Sequence, residues 1–172
     1  MCLTEKEAKE YREYLEKLAS VKSAEMFSNG GRDHAVVLYS VLLENACLHA
    51  RFFCESGMSA IWTHPTFKSA LVNALRKADF KVDVLTRNQA EPDFEWLPAE
   101  LKNKVRVKTI SKDKLGIINS HFKTDSCNFS VFDNEMFRFE YDVVNFKAYG
   151  SFNEPVIGQS MVALFDECFD AA

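Results

Sequence analysis

Between Asp133 and Asp142 the chain gathers four carboxylates, Asp133, Glu135, Glu140 and Asp142, around one cation, Arg138. Carboxylates paired with an arginine can move protons or hold a metal where they open onto a cleft, and form an ion-pair network where they do not. The network is the expectation here. If Met136–Asp142 is a strand, alternation sets Arg138, Glu140 and Asp142 on one face and Phe137, Phe139 and Tyr141 on the other. The histidines, His34, His49, His64 and His121, have no metal-ligand spacing, and the five cysteines never form a C-x-x-C pair. No metal, cofactor or disulfide framework is therefore expected, and Cys2, Cys47, Cys54, Cys127 and Cys168 read mostly as small core hydrophobes. Lys104, Arg106 and Lys108 alternate along one segment and are candidate contacts to a nucleic-acid backbone, or else a solvated strand face. Asn29-Gly-Gly-Arg-Asp-His34, ahead of a helix, offers backbone N–H groups to a phosphate, though a turn between helices is the plainer reading.

Composition narrows the setting for these side chains. A chain of 172 residues, 47% hydrophobic and 27% charged, can bury one sizeable core and not two. Its net charge of -4 exerts no global pull toward nucleic acid or an anionic membrane. Met1-Cys-Leu-Thr runs at once into Glu5, Lys6 and Glu7, which does not read as a signal peptide, and no apolar run approaches the ~18 residues of a membrane span. A cytoplasmic protein without membrane contact is expected.

The elements that position these residues follow from periodicity. Thr4-Glu-Lys-Glu7 is a capping box, and Ala8, Tyr11, Leu15 and Leu18 behind it make an amphipathic helix. With its linker it forms an N-terminal segment, 1–27, ahead of a domain at 28–172. Ser28-Asn-Gly-Gly-Arg breaks the pattern before a second helix from about Asp33 to Ala46. Strands at Cys47–Cys54, Phe80–Thr86 and Val105–Ile110 alternate with a helix opened by Pro65-Thr-Phe67 and a shorter one over Phe94–Lys102, interrupted near Pro98. Crossovers of this kind imply parallel neighbours in a sheet covered on both faces. Asn128–Asp133, Met136–Asp142 and Asn145–Gly150 follow as strands with tight connections, Asp133-Asn134 being a hairpin turn, and a last helix runs from Glu154 to Phe169.

This order, with Phe67-Lys-Ser-Ala-Leu-Val-Asn-Ala-Leu75 leading into Phe80-Lys-Val-Asp-Val-Leu-Thr86 and then a hydrophobic strand ending in Asp133, resembles phospholipase D-like domains over roughly residues 33–169. The resemblance implies an α/β fold: a single domain whose mixed β-sheet joins a parallel βαβ part to a C-terminal antiparallel hairpin, with helices on both faces. In that family, the motif H-x-K-x(4)-D-x(6)-G-S-x-N supplies a histidine nucleophile, a lysine that neutralises phosphate oxygens, and an orienting aspartate. Anchored on Asp133, the pattern puts Ser126 in the histidine position and Asn128 in the lysine position, with Glu140 and Tyr141 in place of Gly-Ser and Val143 in place of the asparagine. Only the aspartate survives. Ser126, Asn128, Asp133, Arg138 and Glu140 are then expected around a degenerate catalytic cleft.

A shifted register is the alternative. His121-Phe-Lys123 is a literal H-x-K and Gly150-Ser-Phe-Asn153 a literal G-S-x-N, at about twice the family spacing; the plainer reading makes the first a polar lead-in to a strand and the second a turn. The resemblance thus implies a non-catalytic binding or assembly subunit, of the kind found in small bacterial mobile-element and anti-phage defence proteins. It implies a homodimer or a protein partner as well, because two such halves meet to build one site. A homodimeric phosphodiesterase or nuclease using His121, Lys123 and Asn153, and a nucleic-acid-binding module, are the rival expectations.

Overall fold

The computed structural model describes residues 3–55, 58–87 and 92–172. Among these residues seven strands form one mixed sheet: β1 (Phe27–Asn29), β2 (His49–Cys54), β3 (Lys81–Thr86), β4 (Val105–Thr109), β5 (Asn128–Phe132), β6 (Met136–Asp142) and β7 (Lys147–Ser151). Their spatial order is β1-β7-β6-β5-β2-β3-β4. β2, β3 and β4 run parallel, while β5 pairs antiparallel with β2 and begins an antiparallel meander through β6, β7 and β1. The mixed α/β sheet with a parallel part and an antiparallel hairpin is thus present.

Among the described residues six α-helices cover the sheet: α1 (Glu5–Ser20), α2 (Arg32–Asn45), α3 (Ser59–Trp62), α4 (Pro65–Leu75), α5 (Lys112–Phe122) and α6 (Pro155–Asp170). The Thr4 capping box forms in both directions and starts α1. Leu15 and Leu18 on its apolar stripe join the core that also holds α2, so the helix is continuous with the domain that follows 27. β1 straddles that boundary by pairing with β7. Helix α2 buries Val36, Leu38, Tyr39, Val41, Leu42 and Leu43, apolar nearly all round because it is wedged between the sheet and other helices.

The sheet separates two cores. Phe52, Phe132 and Val84 face α2 and α4 with Tyr39, Phe67 and Trp62, whereas Phe53, Phe129 and Phe137 face α5 and α6 with Ile118 and Phe165. β2 is buried at all six positions, as the centre of a sheet covered on both faces must be.

Two segments depart from the sequence expectations. Residues 112–122 form α5, capped by the Ser111 hydroxyl and closed by Lys123 in the left-handed conformation (φ 53°), so His121 and Lys123 end a helix and do not lead into a strand. Only Ile118 of α5 is fully buried, which left its apolar stripe too thin to stand out. Ala99–Lys104 is a 3-10 helix starting after Pro98, where a short helix over 94–102 interrupted near Pro98 was expected. Proline holds the preceding residue away from helical backbone.

Candidate functional site

β5 and β6 place the motif residues. Asn128 pairs with Glu140 and Ser130 with Arg138 across the hairpin, and alternation turns all four side chains toward α2. There they are sealed: Asn128 is 1% exposed and Arg138 and Glu140 are 0% exposed. The Asn128 amide donates to Glu140 Oε1 at 2.6 Å and its carbonyl accepts from the Glu55 N–H at 2.8 Å. Arg138 Nη2 lies 2.7 Å from Glu140 Oε2. That contact is ionic and off the hydrogen-bond direction, so Oε2 accepts no hydrogen bond.

The rest of the guanidinium is spent on neutral acceptors. Nε donates to Asn29 Oδ1 (3.3 Å), Nη1 to the Tyr39 hydroxyl (3.2 Å) and Nη2 to the Phe146 carbonyl (3.3 Å). The Tyr39 ring, fully buried on α2, lies 5.0 Å from the guanidinium carbon and closes the site from above; its hydroxyl also contacts Ser130 at 3.1 Å. Burial pushes the Glu140 carboxyl up, against the opposing pull of Arg138 and Asn128. Burial also works against the Arg138 charge, but Tyr39 and Glu140 more than restore it and the side chain stays protonated.

The expected cleft therefore does not open at Asn128, Arg138 and Glu140. Ser126 sits ahead of β5 in a turn with Thr124, whose hydroxyl donates to the Ser126 carbonyl at 2.9 Å. Neighbouring Cys127 is no nucleophile either, its thiol pushed up to about 12 by burial and by Glu55 and Glu140. Asp133 follows the other end of β5, a strand that itself spans about 13 Å at the usual rise per residue. It adopts φ 54° in the hairpin turn, and its carboxylate accepts the N–H groups of Cys47, Leu48 and His49 at 2.8–3.0 Å. The aspartate that survives from the motif thus pins the entry to β2.

The shifted register fares no better. His121 ends α5 on the Asn128 side of the hairpin, with its ring against Phe122. Asn153 follows β7 at the opposite end, beyond Ser151, which pairs with Phe137, and it donates to the Lys22 carbonyl at 3.0 Å. Gly150 and Ser151 have structural duties as well. A Cβ on Gly150 would lie 2.1 Å from the Phe137 carbonyl oxygen, and the Ser151 hydroxyl accepts the Asn153 N–H at 3.2 Å to shape the turn.

The basic trio lies on and beside β4, and each member is engaged. Lys104 donates to the carbonyls of Leu75, Lys77 and Ala78 at the end of α4. Lys108 donates to the Phe169 carbonyl at 2.8 Å. Arg106 forms two 2.7 Å bonds to Asp83, whose Oδ2 also meets His49 Nε2 at 2.8 Å. Since a carboxylate only accepts, His49 is the donor. Burial lowers the His49 pKa despite Asp83, keeping the ring neutral. For Asp83 itself burial pushes upward, but the hydrogen bonds from His49 and Arg106 prevail and hold the carboxyl below its ordinary range.

A depressed carboxyl adds stability that is present above its unfolded value and is lost as pH falls toward the folded one. Thermal melts should therefore show stability declining below about pH 4, with Asp83→Asn less stable at neutral pH and flatter on the acid side. An acid limb unchanged in Asp83→Asn would refute this assignment.

Sequence reading missed Glu55 and Tyr39, and singled out Asn29 only as part of a candidate phosphate loop and not as a partner of Arg138. Glu55 is 8% exposed, accepts the Cys127 N–H at 3.1 Å and pairs with Arg87 at 3.2 Å. No local signal distinguishes a tyrosine that will cover an arginine from an ordinary core tyrosine. Among the described residues, no group of three or more His, Cys, Asp or Glu could hold a metal ion, and no helix is long and apolar enough to cross a membrane.

No protein-family model matches the chain, and no curated protein sequence matches it. Among solved structures it is similar to TrmBL2, described as an archaeal chromatin protein with a novel mode of DNA binding. The TM-score is 0.58 at 16% identity, over 97% of this chain and 61% of that one. The chain spans about three fifths of that protein's length. At this identity the likeness establishes a shared α/β fold and nothing finer.

Proposed function

We propose that this chain is a non-catalytic, phospholipase D-like binding module that serves as a subunit of a larger assembly, as a homodimer or with a protein partner. The observation that carries the reading is the closed network of Asn128, Glu140 and Arg138 beneath Tyr39. At the positions where an active relative would present the lysine and the glycine, Asn128 and Glu140 bond each other in the core, with Arg138 as the counterion of Glu140. Cys127 is protonated, and His121 and Asn153 stand at opposite ends of the β5–β6–β7 hairpins, so the motif candidates among the described residues do not bring a nucleophile, base and cation together.

The experiment is hydrolysis of a generic phosphodiester and of DNA by the wild type and by His121→Ala. Both are expected to stay at the buffer rate with unchanged melting temperatures. Turnover by the wild type that His121→Ala abolishes would restore the enzyme reading.

A second reading, a nucleic-acid-binding module, is favoured by the fold shared with a protein described as binding DNA. The net charge of -4 and the engaged Lys104, Arg106 and Lys108 count against it. Binding to a DNA duplex that weakens steeply with salt would support that reading over the first.

A further inference from the structure

A second group of buried polar side chains lies at the start of β2, on the sheet face opposite the Arg138 network. His49 and Arg51 are only 7% and 8% exposed, and both line a cavity of about 340 Å3. That volume falls at the lower end of the range for small-molecule sites. The His49 ring is held at one edge. Its Nε2–H donates to Asp83 at 2.8 Å, so Nδ1 carries a lone pair, and Nδ1 bonds no other described residue. Two bonds from Arg106 fix the Asp83 carboxylate and with it the tautomer of the ring. Since His49 lines the cavity, a partner for Nδ1 has to come from what fills it.

Arg51 is also incompletely spent. Its Nε and Nη2 clasp Asp166 at 2.8 and 3.1 Å, while Nη1 has only a 3.4 Å contact to the Asp133 carbonyl. Charge of neither sign dominates the wall. Arg51 is matched by Asp166 and Arg106 by Asp83, and the Asp133 carboxylate is covered by three N–H groups. Lys81 and Asp79 are exposed lining residues of opposite sign, and neither forms an ion pair with a described residue. What the cavity offers is a mixture of donors (Arg51 Nη1, Lys81, the Asn134 amide) and acceptors (His49 Nδ1, Asp79), beside Leu48, which is 59% exposed.

We propose that this cavity binds a neutral, polyhydroxylated small molecule, a sugar or sugar alcohol, with His49 Nδ1 accepting from one hydroxyl and Arg51 and Lys81 donating to its neighbours. A hydroxyl both donates and accepts, so a compact molecule carrying several of them satisfies both kinds of group at once. Its C–H surface packs on Leu48. An anion of the same size would meet the Asp79 carboxylate, and a cation would meet Lys81 and Arg51, which disfavours either by unpaired or opposed charge. The site is separate from the network beneath Tyr39, so its failure would leave the assembly reading untouched.

The test follows backbone amide NMR signals of the whole protein during titration with glucose, galactose, ribose, sorbitol and sucrose. At least one is expected to bind saturably in the millimolar range or tighter, with shifts centred on Leu48–Arg51, Lys81 and Asn134. The phosphate ester of glucose and protonated glucosamine, which add charge of either sign to the ring, should bind at least about tenfold more weakly than the best neutral compound. Lys81→Ala, at an exposed position, should leave the melting temperature unchanged and weaken binding about fivefold, the loss of one hydrogen bond. His49→Phe keeps a ring of similar size, removes Nδ1 and should abolish binding. Failure of every neutral compound to bind, tighter binding of a charged analogue, shifts mapping elsewhere, or wild-type affinity in Lys81→Ala or in a folded His49→Phe would each overturn the assignment. The Lys81→Ala titration and the wild-type shift map keep the test decisive if His49→Phe does not fold.

Discussion

Glu140→Gln is expected to destabilise the protein by about 3–5 kcal/mol, the usual cost of removing one partner from a buried ion pair. In a domain of this size that lowers the melting temperature by about 10 °C. The glutamine keeps a carbonyl for the Asn128 amide to reach, so the loss isolates the charge: Arg138, 0% exposed, is left without its counterion. Arg138→Met should cost a similar amount, because the Asn29 carbonyl and the Tyr39 hydroxyl lose a donor and Glu140 is stranded. Combining the two restores charge balance, so the double variant is expected to be more stable than the sum of the single losses, by about 2 kcal/mol. Denaturant melts of the four proteins measure this coupling, and strict additivity would show that the pair does not act as a unit.

Gly150→Ala should be comparably severe, at about 3 kcal/mol or more. The added Cβ would fall 2.1 Å from the Phe137 carbonyl oxygen and 2.8 Å from the Phe27 ring. The first of these is backbone of the paired strand β6, so no rotamer change relieves it, and β7 must move away from the meander. Gly150→Ala is best read beside Gly116→Ala, where an added Cβ meets nothing within 4 Å and the helix gains from the better helix former. Thermal melts should place the two on opposite sides of the wild type. A Gly150→Ala protein as stable as wild type would contradict the packing described for β7.

The strand register of the C-terminal half was legible because its alternation is strict: Arg138 and Glu140 share a face opposite Phe137 and Phe139, as spacing required. The capping box at Thr4 and proline at the first turn of α4 and of α6 were equally legible, being local chemistry. What could not be read is long-range. Tyr39 meets Arg138 across 99 positions and Asn29 meets it across 109, and no spacing rule links them. Asp133 kept a motif position while serving the backbone of Cys47–His49, so a matching residue type in a matching place still had another task. β1 was invisible because three residues carry too little pattern, and it forms only because β7 offers an edge.

The central claim, that Asn128, Glu140 and Arg138 form a sealed structural network, is tested most directly by the Arg138 Nε–Hε signal in NMR. The structure predicts slow exchange of that proton with solvent and no shift on adding a simple phosphodiester such as dimethyl phosphate. Rapid exchange together with a saturable shift would place Arg138 in an open anion-binding cleft and contradict the account.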